Sequence, residues 1–498
     1  MSRSLVARAA VAVVALAALA GCGSTVHSQG ALDATGGIKV LGGTSGSGTN
    51  PIGTPTTLPG TTTGGAGSTG GTSTGATSST GALGGTSGST PTGGTPGLPS
   101  SRGVSATQIR IGITYVKGAD QALSAIGAGA ISIGDTKAIY DRMVTYINST
   151  GGIAGRKIVP VYFAFDANAD GPTQYQAACA KFTQDDHVFA ATGVGVATGP
   201  AGDTLTPCLA KAGAIWLATV KNTTRDSGGA TSIFSPDAIS ADLELASLVR
   251  SAGAHGFLGK GAKVGLIRVL HPEITAAVND GFRPALAEFG LKLADEVAVS
   301  DGNGFPAAVS SAVLRFRTAG VTPVFFAAPG GGGPTYFMTT SEQQGYHPHY
   351  SLSSWDFPSV VEQLAPKAQL TNTIGIGYLP VADVRASEDP GGTSATTSCV
   401  KIYKDAGFST TNRLTVGQML AACDSLGFAR QVLVGATTVT DKVFEAAVDA
   451  IGARFVPAGT FTTSFRAGSH DGAGSYRNLG FGGSCGCFHY TSGSVSFR

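Results

Sequence analysis

Polar side chains recur directly after the predicted strands of this 498-residue chain, where they could hold a small polar molecule. Hydroxyls and aromatic rings that converge on a cleft are typical of binding sites for small solutes. Because Ser, Thr, Asn and Asp are also common helix caps, each of these positions has a structural alternative. The candidate ligand-binding residues are Tyr115, Thr192, Thr219, Asn222, Thr223, His271, Ser354, Trp355 and Asp356.

Motifs for zinc-protease and nucleotide chemistry are missing from the sequence. There is no His-Glu-x-x-His pair and no phosphate loop that ends in Gly-Lys-Ser or Gly-Lys-Thr. The run PGGGGP at 329–334 follows a predicted strand, but it lacks the lysine of a nucleotide loop. His271, His347 and His349 are isolated imidazoles without a matched carboxylate at ligand spacing. We therefore expect no cofactor, no metal and no catalysis.

The charge balance argues against nucleic acid as a partner. The chain has 33 basic and 31 acidic residues, and no basic run occurs beyond the N-terminus. Such a balance disfavours both nucleic acid and acidic membrane surfaces as main partners. No apolar run of about 18 residues follows the N-terminal segment, so no membrane-spanning helix is expected.

The N-terminal residues have the pattern of an export signal. Arginines precede an uncharged apolar stretch, Ala9 to Ala20, which is too short to span a membrane. The sequence at the end of this stretch, Leu19-Ala20-Gly21-Cys22, resembles the bacterial lipobox. This resemblance implies removal of residues 1–21 and lipidation of Cys22, which would anchor the exported chain to the outer face of the cytoplasmic membrane. The alternative is an ordinary secreted protein in which Cys22 has no such role.

A long spacer follows the predicted anchor. Residues 22–102 consist mostly of Gly, Ser, Thr and Pro, as in GTTTGGAGSTGG. Such a segment buries too little apolar surface to offset its ordering entropy, which predicts disorder. As a flexible coil it would span about 45 Å root-mean-square, enough to hold a folded domain away from a membrane.

Six cysteines remain besides Cys22, an even number that favours disulfides in an exported chain. A sequential pairing joins Cys179 to Cys208 and Cys399 to Cys423, in each case across successive predicted helices. Two interpretations fit Cys485 and Cys487, which are followed by His489. They form either a local disulfide or part of a soft-metal site. A fourth metal ligand at suitable spacing is missing, which favours the disulfide.

Strand and helix patterns alternate along the rest of the chain in two series. The first series starts with QIRIGIT at 108–114, and its second strand, at 156–165, contains Pro160 and should therefore lie at a sheet edge. The second series starts with AKVGLIRV at 262–269. Two βαβ series predict an α/β protein with two doubly wound parallel-sheet lobes, and an edge strand that is second in sequence fits the strand order 2-1-3-4-5. Ligands of such sheets bind beyond the carboxyl ends of the strands.

The stretch INSTGGIAGRKIVPVYFAFDA at 147–167 resembles the leucine/isoleucine/valine-type solute-binding proteins, the type I periplasmic-binding-protein fold. In that family an asparagine, a glycine pair and a Gly-Arg or Gly-Lys step lead into the edge strand, as Asn148, Gly151 and Gly152 do here. The resemblance implies two lobes joined by a hinge. The first lobe would comprise residues 103–236 and 377–455, and the second lobe residues 237–376 and 456–498.

The resemblance also implies a function. A lipid-anchored member captures a small solute in the cleft and delivers it to the permease of an ABC importer, itself acting as a monomer that catalyses nothing. Amino-acid-binding members hold the carboxylate with groups after the third and fourth strands, where Thr219 and Thr223 fall. They often bind the ammonium with an acidic residue of the second lobe, near Ser354 and Asp356. The solute stays open among an amino acid, an amide-like compound and a carboxylate, and a sensory module is the alternative function.

Overall fold

The computed structural model describes residues 31–32, 38–39, 101–121, 132–166, 171–194, 200–218, 232–300, 305–328, 332–468 and 470–497. The predicted signal peptide, Cys22 and most of the spacer lie outside these residues. Near the N-terminus, β1 (Ala31–Leu32) pairs antiparallel with β2 (Ile38–Lys39) in a two-stranded sheet. The described residues from 101 onward belong to a separate unit, which contains both lobes.

The sheet of the first lobe has five parallel strands in the order β4-β3-β5-β6-β7. This is the predicted order 2-1-3-4-5. Pro160 lies on the edge strand β4, as expected for a residue that cannot donate a ladder hydrogen bond. The strands are β3 (Gln108–Lys117), β4 (Lys157–Asp166), β5 (Ala190–Gly193), β6 (Ile215–Leu217) and β7 (Ile233–Phe234).

The described residues of the first lobe also form helices on this sheet. These helices are α1 (Thr136–Ser149), α2 (Gly171–Ala180), α3 (Pro200–Lys211), α12 (Ser394–Lys404), α13 (Arg413–Val432) and α14 (Asp441–Ile451), and a π-helical turn, Lys181–Asp185, extends α2. The first begins where Asp135 accepts a hydrogen bond from the backbone N–H of Ala138 at 3.0 Å. It ends before Gly152, whose φ of +73° and close approach to the Arg156 carbonyl exclude a side chain.

The second lobe repeats this arrangement and extends it. Its parallel strands have the order β9-β8-β10-β11-β12, again 2-1-3-4-5, and β13, β14 and β15 continue the sheet with antiparallel pairing. The parallel strands are β8 (Val264–Val269), β9 (Leu293–Val299), β10 (Pro323–Ala327), β11 (His349–Leu352) and β12 (Ile374–Gly377). The antiparallel strands, which the sequence did not predict, are β13 (Ser475–Gly482), β14 (Cys487–Tyr490) and β15 (Val495–Ser496).

Helices cover the second sheet as well. They are α4 (Ala241–Ala254), α5 (Pro272–Ala277), α6 (Arg283–Ala287), α7 (Phe305–Ala319), α8 (Gly332–Gln343), α9 (Pro358–Leu364), α10 (Lys367–Leu370) and α11 (Pro380–Asp383), with a π-helical turn, Val278–Phe282, between α5 and α6. Short 3₁₀ turns occur at Ser354–Asp356, Ala386–Glu388 and Gly452–Arg454. No helix in the described ranges is long and apolar enough to cross a membrane.

Three segments carry the chain from one lobe to the other. The first crossover is 235–240, between β7 and α4, and the second is 378–393, between β12 and α12. The third is 456–474, between the last 3₁₀ turn and β13, described except for residue 469.

Three disulfides join neighbouring elements in the predicted sequential pairing. Cys179–Cys208 links α2 to α3, and Cys399–Cys423 links α12 to α13 inside the core of the first lobe. Cys485–Cys487 closes the turn between β13 and β14. Among the described residues, one group has metal-ligand geometry, Glu388 with these last two cysteines, and its sulfur atoms are already joined to each other.

Candidate functional site

The turn after β11, Ser354–Asp356, holds buried polar side chains at the strand ends of the second lobe. Ser353 accepts a hydrogen bond from the backbone N–H of Trp355 at 3.2 Å, and Asp356 accepts one from the backbone N–H of Ser353 at 2.8 Å. These reciprocal bonds form a capping box that fixes the turn. The Asp356 carboxyl is therefore held by its own turn, so at least one of its oxygens is already engaged.

Ser354 joins this turn to the end of the next strand. Its hydroxyl oxygen accepts hydrogen bonds from the backbone N–H groups of Tyr378 at 2.8 Å and Leu379 at 3.2 Å. Those two residues begin the second crossover. The side chain thus couples the turn after β11 to a segment that links the lobes, a positional role that its place in the sequence did not reveal.

Trp355 contributes a buried hydrogen-bond donor. The residue is only 5% exposed, and its indole Nε1 has no hydrogen-bond partner within the described ranges. A buried indole N–H normally finds a partner, because leaving it unpaired is costly. Of the predicted residues in this turn, Trp355 is the one with a free polar atom for a ligand.

Two buried carboxyls, those of Glu244 and Asp356, lie at this turn. Tyr378 donates a hydrogen bond from its hydroxyl to Glu244 Oε2 at 2.9 Å, and both residues are fully buried. Burial raises the pKa of Glu244 to about 8, against the opposing effect of hydrogen bonds from Ser353 and Tyr378, and the nearby Asp356 raises it further. Burial likewise raises the pKa of Asp356 to about 8. Near neutral pH the turn therefore presents protonated carboxyls rather than fixed negative charge.

Sequence reasoning did not identify Glu244 or Tyr378. Tyr378 directly follows β12, so the strand-end rule that selected the other candidates also applies to it. Glu244 lies in the first turn of α4, where an acidic residue is expected for helix stability alone. Only the tertiary contact with Tyr378 distinguishes it.

The first lobe supplies two of the predicted residues from neighbouring strands. Thr192, on β5, is fully buried and donates its hydroxyl to the Leu217 carbonyl on β6 at 3.0 Å. Its side chain therefore bonds within the sheet. Tyr115, on β3, packs edge-on against Tyr162 with ring centroids 6.1 Å apart and remains partly exposed. The other candidates of this lobe, Thr219, Asn222 and Thr223, lie outside the described residues.

His271 follows β8 and occupies the N-cap position of α5. Its backbone carbonyl accepts hydrogen bonds from the backbone N–H of Thr275 at 2.9 Å and the Thr275 hydroxyl at 2.8 Å. β8 and β11 flank β10, so His271 and the turn of Trp355 lie on the same edge of the sheet with one strand between them. Of the predicted residues that the structure describes, His271 and the turn of Trp355 thus follow strands of the second lobe, whereas Tyr115 and Thr192 lie within strands of the first lobe.

A family model described as "Periplasmic binding protein" matches residues 122–389, more than half of the chain. The chain belongs to the periplasmic binding protein family. This agrees with the two parallel sheets in the order 2-1-3-4-5 and with the crossovers between them. No curated protein matches the sequence.

Solved structures show the same fold at low sequence identity. A branched-chain amino acid ABC transporter protein from Thermus thermophilus with bound valine is 16% identical, with a TM-score of 0.59 over 78% of this chain and 97% of that one. A fatty acid ABC transporter substrate-binding protein from Thermomonospora curvata is 14% identical, with a TM-score of 0.57 over 80% and 95%. A solute-binding protein from Rhodopseudomonas palustris BisB5 in complex with 3,4-dihydroxybenzoic acid is 12% identical, with a TM-score of 0.55 over 78% and 97%.

Proposed function

We propose that this protein binds a small amino acid between its lobes and delivers it to an ABC importer. The observation that carries the proposal is the carboxyl pair of Glu244 and Asp356 beside the turn after β11. An ammonium group is a partner that compensates the cost of ionising a buried carboxyl. The unpaired indole of Trp355 adds a donor to the same turn. Membership of the family and the fold shared with the valine complex support the assignment.

Calorimetric titration of the stripped protein tests the solute class. We expect valine to bind, while 3-methylbutanoate, which lacks the ammonium, and valinamide, which lacks the carboxylate, each bind at least about 100-fold more weakly. Glu244→Gln should lose valine binding, whereas Glu288→Gln, which changes an exposed glutamate, should not. Equal binding of 3-methylbutanoate would instead identify a simple carboxylic acid as solute. Failure of every amino acid to bind a folded sample would rule the proposal out.

The pH dependence of valine binding is a second test of this proposal. At a pH below the raised pKa, about 8 for Glu244, an arriving ammonium must displace a proton before it meets a negative charge. Valine affinity should therefore rise from pH 6 to pH 8, by up to about tenfold per pH unit. Affinity that is flat over this range would show that no carboxyl titrating between pH 6 and pH 8 binds the ammonium.

We also propose that the chain is exported and held at the membrane by lipid on Cys22. The lipobox-like sequence supports this, since it places the cysteine directly after small residues and an apolar stretch. In cells of a lipoprotein-processing bacterium, the wild-type protein should partition into the detergent phase of a Triton X-114 extract. Cys22→Ala should move it to the aqueous phase. Wild-type protein in the aqueous phase, with residues 1–21 removed, would indicate a freely secreted protein.

A further inference from the structure

A cavity at the crossovers is lined by a positively charged side chain, Arg477, that has no acidic partner among the described residues. It has a volume of about 260 Å³ and is lined by residues of the second crossover, such as Val381 and Thr393, and of the third, such as Thr460 and Phe461. Arg477, on β13, completes the wall and pairs in the sheet with Gly377, directly before the second crossover. None of the predicted strand-end residues lines this cavity.

The Arg477 guanidinium is positioned by aromatic rings instead of a carboxylate. Its Cζ atom lies 4.5 Å from the ring centroid of Phe461 and 5.7 Å from that of Tyr490. Its Nε is buried without a hydrogen-bond partner, and no ion pair to it occurs among the described residues. A guanidinium stacked in this way keeps its planar donor edge for a carboxylate or phosphate.

Of the buried polar side chains that line the rest of the wall, one lacks a hydrogen-bond partner. Asp389, the acidic residue of the lining, is paired with Arg413 at 2.7 Å. The hydroxyl of Thr396 donates to the Ala458 carbonyl at 2.6 Å. The exception is Thr460, a 3%-exposed residue whose hydroxyl has no partner. The unsatisfied groups of this wall are thus a cation and a hydroxyl, which together suit an anion.

We infer that this cavity is a second binding site, which takes a small carboxylate with a compact apolar body. The carboxylate would face Arg477, and the apolar body would lie against Phe461, Val381 and Leu420, which also line the cavity. The second and third crossovers, which form the wall, are the segments that change conformation when hinged lobes close. A ligand here would therefore contact two of the segments that link the lobes.

Benzoate and its neutral analogue benzamide test the site on the full-length protein. Benzoate should raise the melting temperature saturably, and benzamide should not, because only the anion pairs with the guanidinium. Arg477→Met keeps the apolar stem and should weaken benzoate binding at least tenfold, whereas the exposed-site control Arg315→Met should leave it unchanged. Benzoate binding that is unaltered in Arg477→Met, or absent in the wild type, overturns the inference.

A measurement on the wild-type protein tests the site even if Arg477→Met does not fold. Phenylglyoxal modifies accessible arginines, and mass spectrometry gives the rate at each one. Saturating benzoate should slow the modification of Arg477 several-fold and leave that of Arg315 unchanged. An unchanged rate at Arg477 overturns the inference. Valine serves as the comparison, since protection by valine but not by benzoate would place Arg477 in the amino-acid site instead.

Discussion

Replacing Asp424 by asparagine should destabilise the protein by about 3 kcal/mol, while the same change at Asp237 should cost less than about 1 kcal/mol. Both residues are buried at the crossovers, Asp424 on α13 and Asp237 in the first crossover. A Cβ placed on Gly459 would lie 3.2 Å from Asp424 Oδ2 and 3.6 Å from Asp237 Oδ2, so the two carboxyls face the same point. Two carboxylates this close cannot both stay ionised in a buried site.

Hydrogen bonding decides which of them keeps the proton. Asp424 Oδ1 accepts from the backbone N–H of Ala458 at 2.6 Å, and Oδ2 accepts from that of Gly459 at 2.7 Å. These two bonds favour the ionised form and limit the rise that burial causes in the pKa of Asp424. Asp237 has an oxygen without a partner, and burial together with the charge of Asp424 raises its pKa well above the usual range. Asp237 is therefore the protonated member.

The two asparagine variants differ because of this assignment. An amide at position 424 points an N–H group at a backbone N–H, so the start of the third crossover loses one anchor and gains a repulsive contact. An amide at position 237 replaces a neutral carboxyl by a neutral group of the same shape. Urea unfolding at pH 8, above the value of about 7 to which burial raises the pKa of Asp424, measures both changes in the free energy of unfolding by circular dichroism. If Asp237→Asn is the more damaging variant, the proton resides on Asp424.

The sequence predicts the parallel part of the fold because its strands carry a local signal. Ile109, Ile111 and Ile113 alternate along β3, and all three are buried, as a half-buried strand requires. The antiparallel strands β13 to β15 carry no such signal, since glycines interrupt the apolar pattern of β13 and the other two strands are very short. β13 becomes a strand by pairing with β12, a contact that no local window contains, and β14 and β15 pair with β13 in turn.

The candidate site is less predictable for the same reason. Strand-end position selected Ser354 and Trp355 as ligand-binding candidates, and the structure shows that both are buried. It did not show that Ser354 bonds to the second crossover, or that Asp356 caps its own turn. The carboxyls of Asp237 and Asp424 lie far apart in the sequence, and only the packing of α13 against the crossovers reveals their interaction. Hydrogen-bond direction and burial, which fix the chemistry of these groups, are tertiary properties.

The free energy of unfolding should fall by several kcal/mol between pH 5 and pH 9. Burial raises the pKa of Glu244 and of Asp356 to about 8, and that of Asp383 to about 7. When a carboxyl has a higher pKa in the folded state than in the unfolded state, its contribution to stability is complete below the unfolded value, near pH 4. That contribution is lost as the pH rises through the folded value, because the unfolded chain releases its proton first.

Glu244→Gln isolates the contribution of one carboxyl to this pH dependence of the free energy of unfolding. Glutamine can accept the Tyr378 hydroxyl hydrogen bond as the protonated glutamate does, so the variant should match the wild type at pH 5. Between pH 5 and pH 8 its stability should fall less steeply, by up to about 1.4 kcal/mol per pH unit, and exceed that of the wild type at pH 9. Urea unfolding across this range measures both slopes, with Glu288→Gln as the exposed control.

Wild-type stability that is constant or rises from pH 5 to pH 9 would show that the buried carboxyls are ionised throughout. That result would also change the expected chemistry of binding. A carboxylate that is already ionised meets an ammonium without losing a proton, so valine affinity would not vary between pH 6 and pH 8. Because the same proton on Glu244 governs both measurements, Glu244→Gln should both reduce the pH dependence of stability and abolish valine binding, and a variant that does the first but still binds valine would place the ammonium at a different group.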